Sequence, residues 1–171
     1  MRYDPVLHIV LYEPEIPPNT GNIGRTCVAI GAKMWLVRPL GFKLDDYYLR
    51  RAGLDYWEEL EWEVVDSWEQ LLARLGRDPD WFFSTHATRP YTSAAYRRGD
   101  VLVFGSESHG LPKDLLLSHT KQALTIPSRP QVRSLNLSNC AAIVAYEALR
   151  QWEGTPPPGA TGCQLPSCEL A

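Results

Sequence analysis

The sequence predicts an α/β fold, a mostly parallel sheet flanked by helices on both faces. Three observations carry this. Short runs rich in Val, Ile, Leu and Phe recur along the chain, apolar at consecutive positions rather than alternate ones. Strands buried on both faces have this pattern. Helix-forming segments lie between the runs, so strand and helix alternate. The runs also end in loops rich in Gly, Pro, Asn and Ser, the places where open α/β sheets hold ligands.

The elements follow in order. Val6–Tyr12 is a buried strand. Glu13-Pro14-Glu15-Ile16-Pro17-Pro18-Asn19-Thr20-Gly21-Asn22 is dense in turn formers and predicts a loop. A helix is expected from about Thr20 to Ile30, stopped by Gly31. Lys33–Val37 is the second strand, Asp45–Ala52 a short helix carrying Arg50 and Arg51, and Glu61–Val65 the third strand. Ser67 can cap a helix running to Leu75. Trp81–Ser84 and Val101–Phe104 are the fourth and fifth strands. Pro112–Leu117 starts with a proline suited to a first helical turn. Ala123–Ile126 is the sixth strand, and a last helix starts at Asn136 or Ser138 and runs through Trp152. From Gly154 onward, Thr155-Pro156-Pro157-Pro158-Gly159 cannot continue a helix and little apolar content follows. The expected division is a domain over 1–153 and a flexible tail over 154–171.

Bulk properties narrow the function. A chain of 171 residues can bury one real core. With 17 basic and 20 acidic residues the net charge is -3, which excludes a uniformly basic coat but not a local basic patch. No run of about 18 apolar residues predicts a membrane span, and Met1-Arg2-Tyr3-Asp4-Pro5 does not read as a signal peptide. Cys27 and Cys140 fall in apolar helical contexts and read as buried thiols, while Cys163 and Cys168 lie in the tail; no spacing suggests a metal. A cytoplasmic location is expected. His8, inside the first strand, reads as a satisfied core or interface histidine.

Three constellations could carry chemistry. Asn19-Thr20-Gly21-Asn22-Ile23-Gly24-Arg25 follows a strand and opens a helix, where glycines let backbone N–H groups approach a ligand and the helix start attracts anions. It matches neither the dinucleotide fingerprint nor a phosphate loop. Arg25 reads either as a surface arginine or as one aimed at a phosphate or a reacting hydroxyl. Gly105-Ser106-Glu107-Ser108-His109-Gly110 leaves the fifth strand through a tight turn; His109 invites a general-base reading, but an exposed loop histidine is the favoured one. The third runs from Ile126-Pro127 to Asn139, with Arg129 and Arg133 in a polar loop. Ser134, Asn136, Ser138 and Asn139 cluster near a helix start, more than one cap needs. Arg38, Lys43, Arg50, Arg51, Arg97, Arg98, Arg129 and Arg133, with Tyr47, Tyr48, Tyr91 and Tyr96 as stacking groups, could together form a phosphate-binding face.

At these blocks the chain resembles the SPOUT-class RNA 2′-O-ribose methyltransferases, and within them the small bacterial enzymes acting on cytidine or uridine 34 of tRNA. The carrying residues are Leu11 to Arg25, Leu49-Arg50-Arg51-Ala52-Gly53-Leu54-Asp55-Tyr56, Phe104 to Pro112, and Ser134-Leu135-Asn136-Leu137-Ser138-Asn139 with Tyr146-Glu147-Ala148. The likeness spans roughly 6–152. It implies a deep C-terminal trefoil knot, which ordinary topology rules disfavour, and bound S-adenosylmethionine. Cofactor contacts are implied at Phe83, Ser84, Thr85, Gly105, Gly110, Ile126, Ser134 and Leu135. Substrate contacts are implied at Asn19, Asn22, Arg50, Arg51 and Arg133. Arg25 is the implied catalytic group, as hydroxyl polariser or phosphate clamp, with Glu107, Asn136 and Ser138 in support. A homodimer with its site at the subunit interface, helped by Tyr146, is implied as well; no metal is. Two departures stand out. Ser128-Arg129-Pro130-Gln131 replaces a stretch where relatives often carry a glycine, and His86 replaces what is often lysine or threonine.

The expected activity is therefore methyl transfer from S-adenosylmethionine to a ribose 2′-hydroxyl, at wobble nucleotide 34 of tRNA. The competing readings are the same chemistry at another tRNA position or on ribosomal RNA, and a non-catalytic RNA-binding assembly factor. A dinucleotide-dependent oxidoreductase is disfavoured because the glycine fingerprint is missing.

Overall fold

A computed structural model describes residues 5–44 and 57–152. Six strands form one sheet: β1 His8–Tyr12, β2 Lys33–Val37, β3 Trp62–Val65, β4 Trp81–Phe83, β5 Val101–Phe104 and β6 Ala123–Leu124. Their order is β3-β2-β1-β5-β4-β6, and every pairing is parallel. Among the described residues the helices are α1 Pro17–Ile30, α2 Trp68–Leu75, α3 Lys113–Ser118 and α4 Leu137–Gln151. The expected α/β architecture is present. Residues 45–56, with the expected helix Asp45–Ala52 and Arg50 and Arg51, and residues 153–171, with the expected tail over 154–171, lie outside the described residues.

Strand periodicity divides the core in two. Ile9 pairs in register with Met34 and Leu102, and Leu11 with Leu36 and Phe104. These side chains share one face with Ile23 and Cys27 of α1 and with Ala141, Val144, Ala145 and Ala148 of α4. Val10, one residue along, points the other way. It joins Trp35, Val37, Phe82, Val103 and Leu71 of α2. Both faces are covered, so neither can tolerate polar alternation. Truncating a fully buried residue such as Ile9 or Leu11 to alanine would cost about 2–5 kcal/mol.

Helix α1 differs from expectation. It begins at Pro17, three residues early, so Asn19, Thr20, Gly21 and Asn22 are helical rather than loop. Prolines in a first turn have no N–H to lose and a φ already suited to a helix. Gly24 also has a different role from the one expected. It admits no ligand; a Cβ there would lie 3.0 Å from Leu60 Cδ2 and 3.3 Å from the Trp57 ring, so the missing side chain lets a neighbouring segment pack. Gly31 caps the helix at φ 74, and its N–H and that of Ala32 reach the carbonyls of Val28 and Cys27.

The remaining boundaries move little. Ser67 caps α2 by accepting the Gln70 N–H, and Asn136 caps α4. Pro112 precedes α3 rather than lying inside it. β6 ends at Leu124, and Thr125 instead bridges Pro90. His8 is half-buried and its Nδ1 accepts from Trp35 Nε1 at 3.0 Å. Cys27 is fully buried, whereas Cys140 is only half-buried, which corrects the expectation that both would be core thiols.

Candidate active site

The chain builds β1, β2 and β3 outward on one side, then crosses to lay down β4, β5 and β6 on the other. Such a reversal leaves a crevice at the carboxyl ends of the strands. A cleft of about 660 Å³ lies there, within the roughly 300–1,000 Å³ range of small-molecule sites. Its walls are the exits of β4 (Phe83 to His86) and β5 (Phe104 to Leu111), Thr125 and Ile126 after β6, and the Arg133–Leu137 approach to α4. Phe83 and Phe104 stack with centroids 4.6 Å apart, so apolar surface and polar loops meet in one cavity.

The β5 exit is a closed turn. Ser106 and Gly110 exchange backbone hydrogen bonds at 3.2 and 2.9 Å. Gly110 has φ 69, a left-handed conformation that glycine adopts without penalty. Gly105 faces it so closely that a Cβ would lie 2.1 Å from the Gly110 carbonyl carbon. Two backbones thus touch where sequence alone suggested only a tight exit.

A chain of polar contacts ties this turn to both helix starts. Glu107 Oε2 accepts the Glu15 N–H at 2.8 Å, and its Oε1 accepts the Ile16 N–H at 3.2 Å and Asn19 Nδ2 at 2.8 Å. A carboxylate at the positive end of α1 is favourably placed. Asn19 Oδ1 accepts from Asn136 Nδ2 at 2.9 Å. Asn136 Oδ1 accepts the Ser138 N–H and hydroxyl at 2.9 and 2.6 Å and the Asn139 N–H at 3.4 Å. Arg133 Nη2 donates to the Ser108 carbonyl at 2.7 Å.

The structure gathers many of the expected residues and separates others. Phe83, Ser84, Thr85, Gly105, Gly110, Ile126, Ser134 and Leu135 all line the cleft, as do Asn19, Glu107, Arg133 and Asn136. Ser138 is buried behind Asn136 and does not line it. Asn22 and Arg25 are exposed on α1, three residues apart and hence on one face, outside the lining of the cleft in this single chain. Arg50 and Arg51 lie outside the described residues. His109 lines the cleft and is exposed, with its N–H on Ser106 Oγ at 3.3 Å.

Sequence reasoning missed Cys140 as a cleft residue and Glu15 as a partner of Ser108. The Cys140 spacing from Asn136, one helical turn, was the available signal. Burial pushes its thiol pKa up, so the group is a protonated wall of the cleft rather than a thiolate nucleophile. Among the described residues there is no cluster able to hold a metal and no helix long and apolar enough to cross a membrane.

The donor set fits S-adenosylmethionine. The cleft has the size of a small-molecule site, offers apolar walls for an adenine ring, and presents loop backbone and hydroxyl groups for polar ends. Residues 6–146 match the SpoU rRNA methylase family. A relative from Bacillus subtilis (strain 168) is 50% identical over 148 residues, covering 85% of this chain and 92% of its own. The tRNA (cytidine(34)-2′-O)-methyltransferase of Methylovorus glucosotrophus (strain SIP3-4) is 46% identical over 144 residues, covering 84% and 94%. A solved structure described as giving insight into 2′-OH methylation of C/U34 on tRNA superposes with TM-score 0.82 at 45% identity, over 87% of this chain and 97% of that one. With a cleft of this kind at its sheet switch point, and with these relatives, the chain belongs to the SpoU methylase family and, within it, to the tRNA (cytidine(34)-2′-O)-methyltransferases.

Proposed function

We propose that this protein methylates the ribose 2′-hydroxyl of nucleotide 34 in tRNA, using S-adenosylmethionine. The observation that supports it most strongly is that one cleft brings together the exits of β4, β5 and β6 with the polar chain Glu107–Asn19–Asn136. Phe83, Ser84, Thr85, Gly105, Gly110, Ile126, Ser134 and Leu135 would hold the cofactor. When bound, it supplies an electrophilic sulfonium methyl group.

The chain's own residues must then orient the acceptor and favour loss of its proton. Arg25 is proposed to polarise the 2′-hydroxyl or to grip the adjacent phosphate through its planar fork. An arginine is too basic to act as an ordinary proton acceptor, so stabilising the developing alkoxide is the electrostatic role open to it. Glu107, Asn136 and Ser138 are proposed to hold the loops and the helix starts in place, since their polar atoms are engaged with one another and with backbone. Asn19, Asn22, Arg50, Arg51 and Arg133 are proposed to contact the RNA.

A homodimer is part of this reading. Arg25 lies outside the lining of its own chain's cleft, so a partner subunit would carry it to the cofactor. Ile143 and Tyr146 of α4, three residues apart, are exposed apolar groups on one face that such a partner would cover. The trefoil knot, the domain over 1–153, the tail over 154–171 and a cytoplasmic setting belong to the same proposal.

The test is incubation with labelled S-adenosylmethionine and tRNA transcripts bearing C or U at position 34, followed by mapping of 2′-O-methyl groups. Label is expected at nucleotide 34 alone. Label elsewhere in RNA would reassign the target, and cofactor binding without label would favour the non-catalytic assembly factor.

A further inference from the structure

We infer that Glu15 is a positioning residue for the methyl-donor site, acting through Ser108. This rests on the methyltransferase reading above and adds to it a residue that does not itself line the cleft.

The β1–α1 junction and the β5 exit clasp each other through two crossed carboxylates. Glu107 accepts the backbone N–H groups of Glu15 and Ile16. In return, Glu15 Oε2 accepts the Ser108 N–H at 3.1 Å and the Ser108 hydroxyl at 2.6 Å. Hydrogen bonds to an ionised acceptor are stronger and shorter than neutral ones, and these join segments 93 residues apart. Ser108 lines the cleft, and its carbonyl is held in turn by Arg133 from the third polar loop. Ser108 thus has both backbone polar groups and its hydroxyl engaged.

Glu15 is itself backed by a third segment. The Gly41 N–H donates to the Pro14 carbonyl at 2.9 Å, and a Cβ on Gly41 would lie 2.7 Å from the Glu15 Cα. With its backbone braced there, Glu15 holds Ser108 at a set distance from the start of α1, whose Asn19 lines the same cleft. Ser108 is part of the wall of the donor's cleft, so a shift there displaces the methyl donor, and a positional error of about 1 Å costs an enzyme of the order of a hundredfold in rate.

The experiment compares the full chain with Glu15→Ala, Glu15→Gln and Ser108→Ala, measuring S-adenosylmethionine Kd by calorimetry and both KM values by tRNA methylation. Glu15→Ala is expected to raise cofactor Kd and KM about tenfold, with the KM for tRNA within about twofold of the parent. Glu15→Gln keeps a neutral acceptor and is expected to recover about a threefold part of that loss. An unchanged cofactor Kd in Glu15→Ala would overturn the inference, and so would an equal rise in both KM values, the sign of general loosening. Should Glu15→Ala fail to fold, Ser108→Ala removes only the hydroxyl bond. A rise of about threefold in cofactor Kd at unchanged Tm is then expected, and no rise overturns the inference. If the parent binds no cofactor, the methyltransferase reading fails and this inference with it. If parent and Glu15→Ala bind equally, only this inference fails.

Discussion

Asn136 Nδ2 donates to Asn19 Oδ1 at 2.9 Å across 117 positions of sequence, and each amide is oriented by its other contacts. Asn19 Nδ2 is committed to Glu107, and Asn136 Oδ1 to the first N–H groups of α4. Neither amide can flip without breaking both links. Asn136→Asp keeps an oxygen for the α4 cap but turns an acceptor toward Asn19. Its stability is expected within about 1 kcal/mol of the parent, with methyl transfer reduced about tenfold or more. Asn136→Ala also loses the cap and should be less stable by a further ~1 kcal/mol. Thermal melts and single-turnover methylation check both; parental turnover in Asn136→Asp would mean the link to Asn19 is dispensable.

The two glycines of the β5 exit should respond differently to alanine. At Gly105 a Cβ meets backbone at 2.1 Å, so the turn must open. Cofactor binding should be lost, with destabilisation of roughly 1–3 kcal/mol. At Gly110 nothing lies within 4 Å, and the cost is only that of a left-handed backbone, about 1–2 kcal/mol. Gly110→Ala should therefore fold and bind the cofactor more weakly rather than not at all. Calorimetric titration of both variants separates the cases.

Thr20 is fully buried in α1 and its hydroxyl has no hydrogen-bond partner among the described residues. A buried hydroxyl left unpaired is destabilising, and valine has nearly the same shape. Thr20→Val should raise stability by ~1 kcal/mol, or roughly 2–4 °C in Tm for a chain of this size. A lower Tm would mean that the hydroxyl finds a partner when the protein assembles in solution.

Much of this was legible in the chain itself. The six strands come from apolar runs too continuous for a one-faced sheet, and the helix ends from Ser67, Gly31 and Asn136, because burial and capping are set by residue type at short range. The loops that line the cleft could be named from their position after strands. The start of α1 is not legible in the sequence because Asn19 to Asn22 look like turn residues. Two prolines ahead of them and a carboxylate from Glu107 nonetheless allow the helix to begin there.

Local sequence determined the alternation of strand and helix, the two-faced core and the polar strand exits, since each depends on neighbours within a few residues. Tertiary structure alone decided which exits share a cleft, that Gly105 and Gly110 touch, and that Glu107 accepts the Glu15 N–H while Glu15 accepts the Ser108 N–H. It also put Arg25 on an exposed face of α1, outside the lining of its own chain's cleft. These carboxylate contacts and the Asn19–Asn136 link join residues 92 to 117 positions apart, and strand order and backbone approach set the rest. No spacing within a short window encodes either.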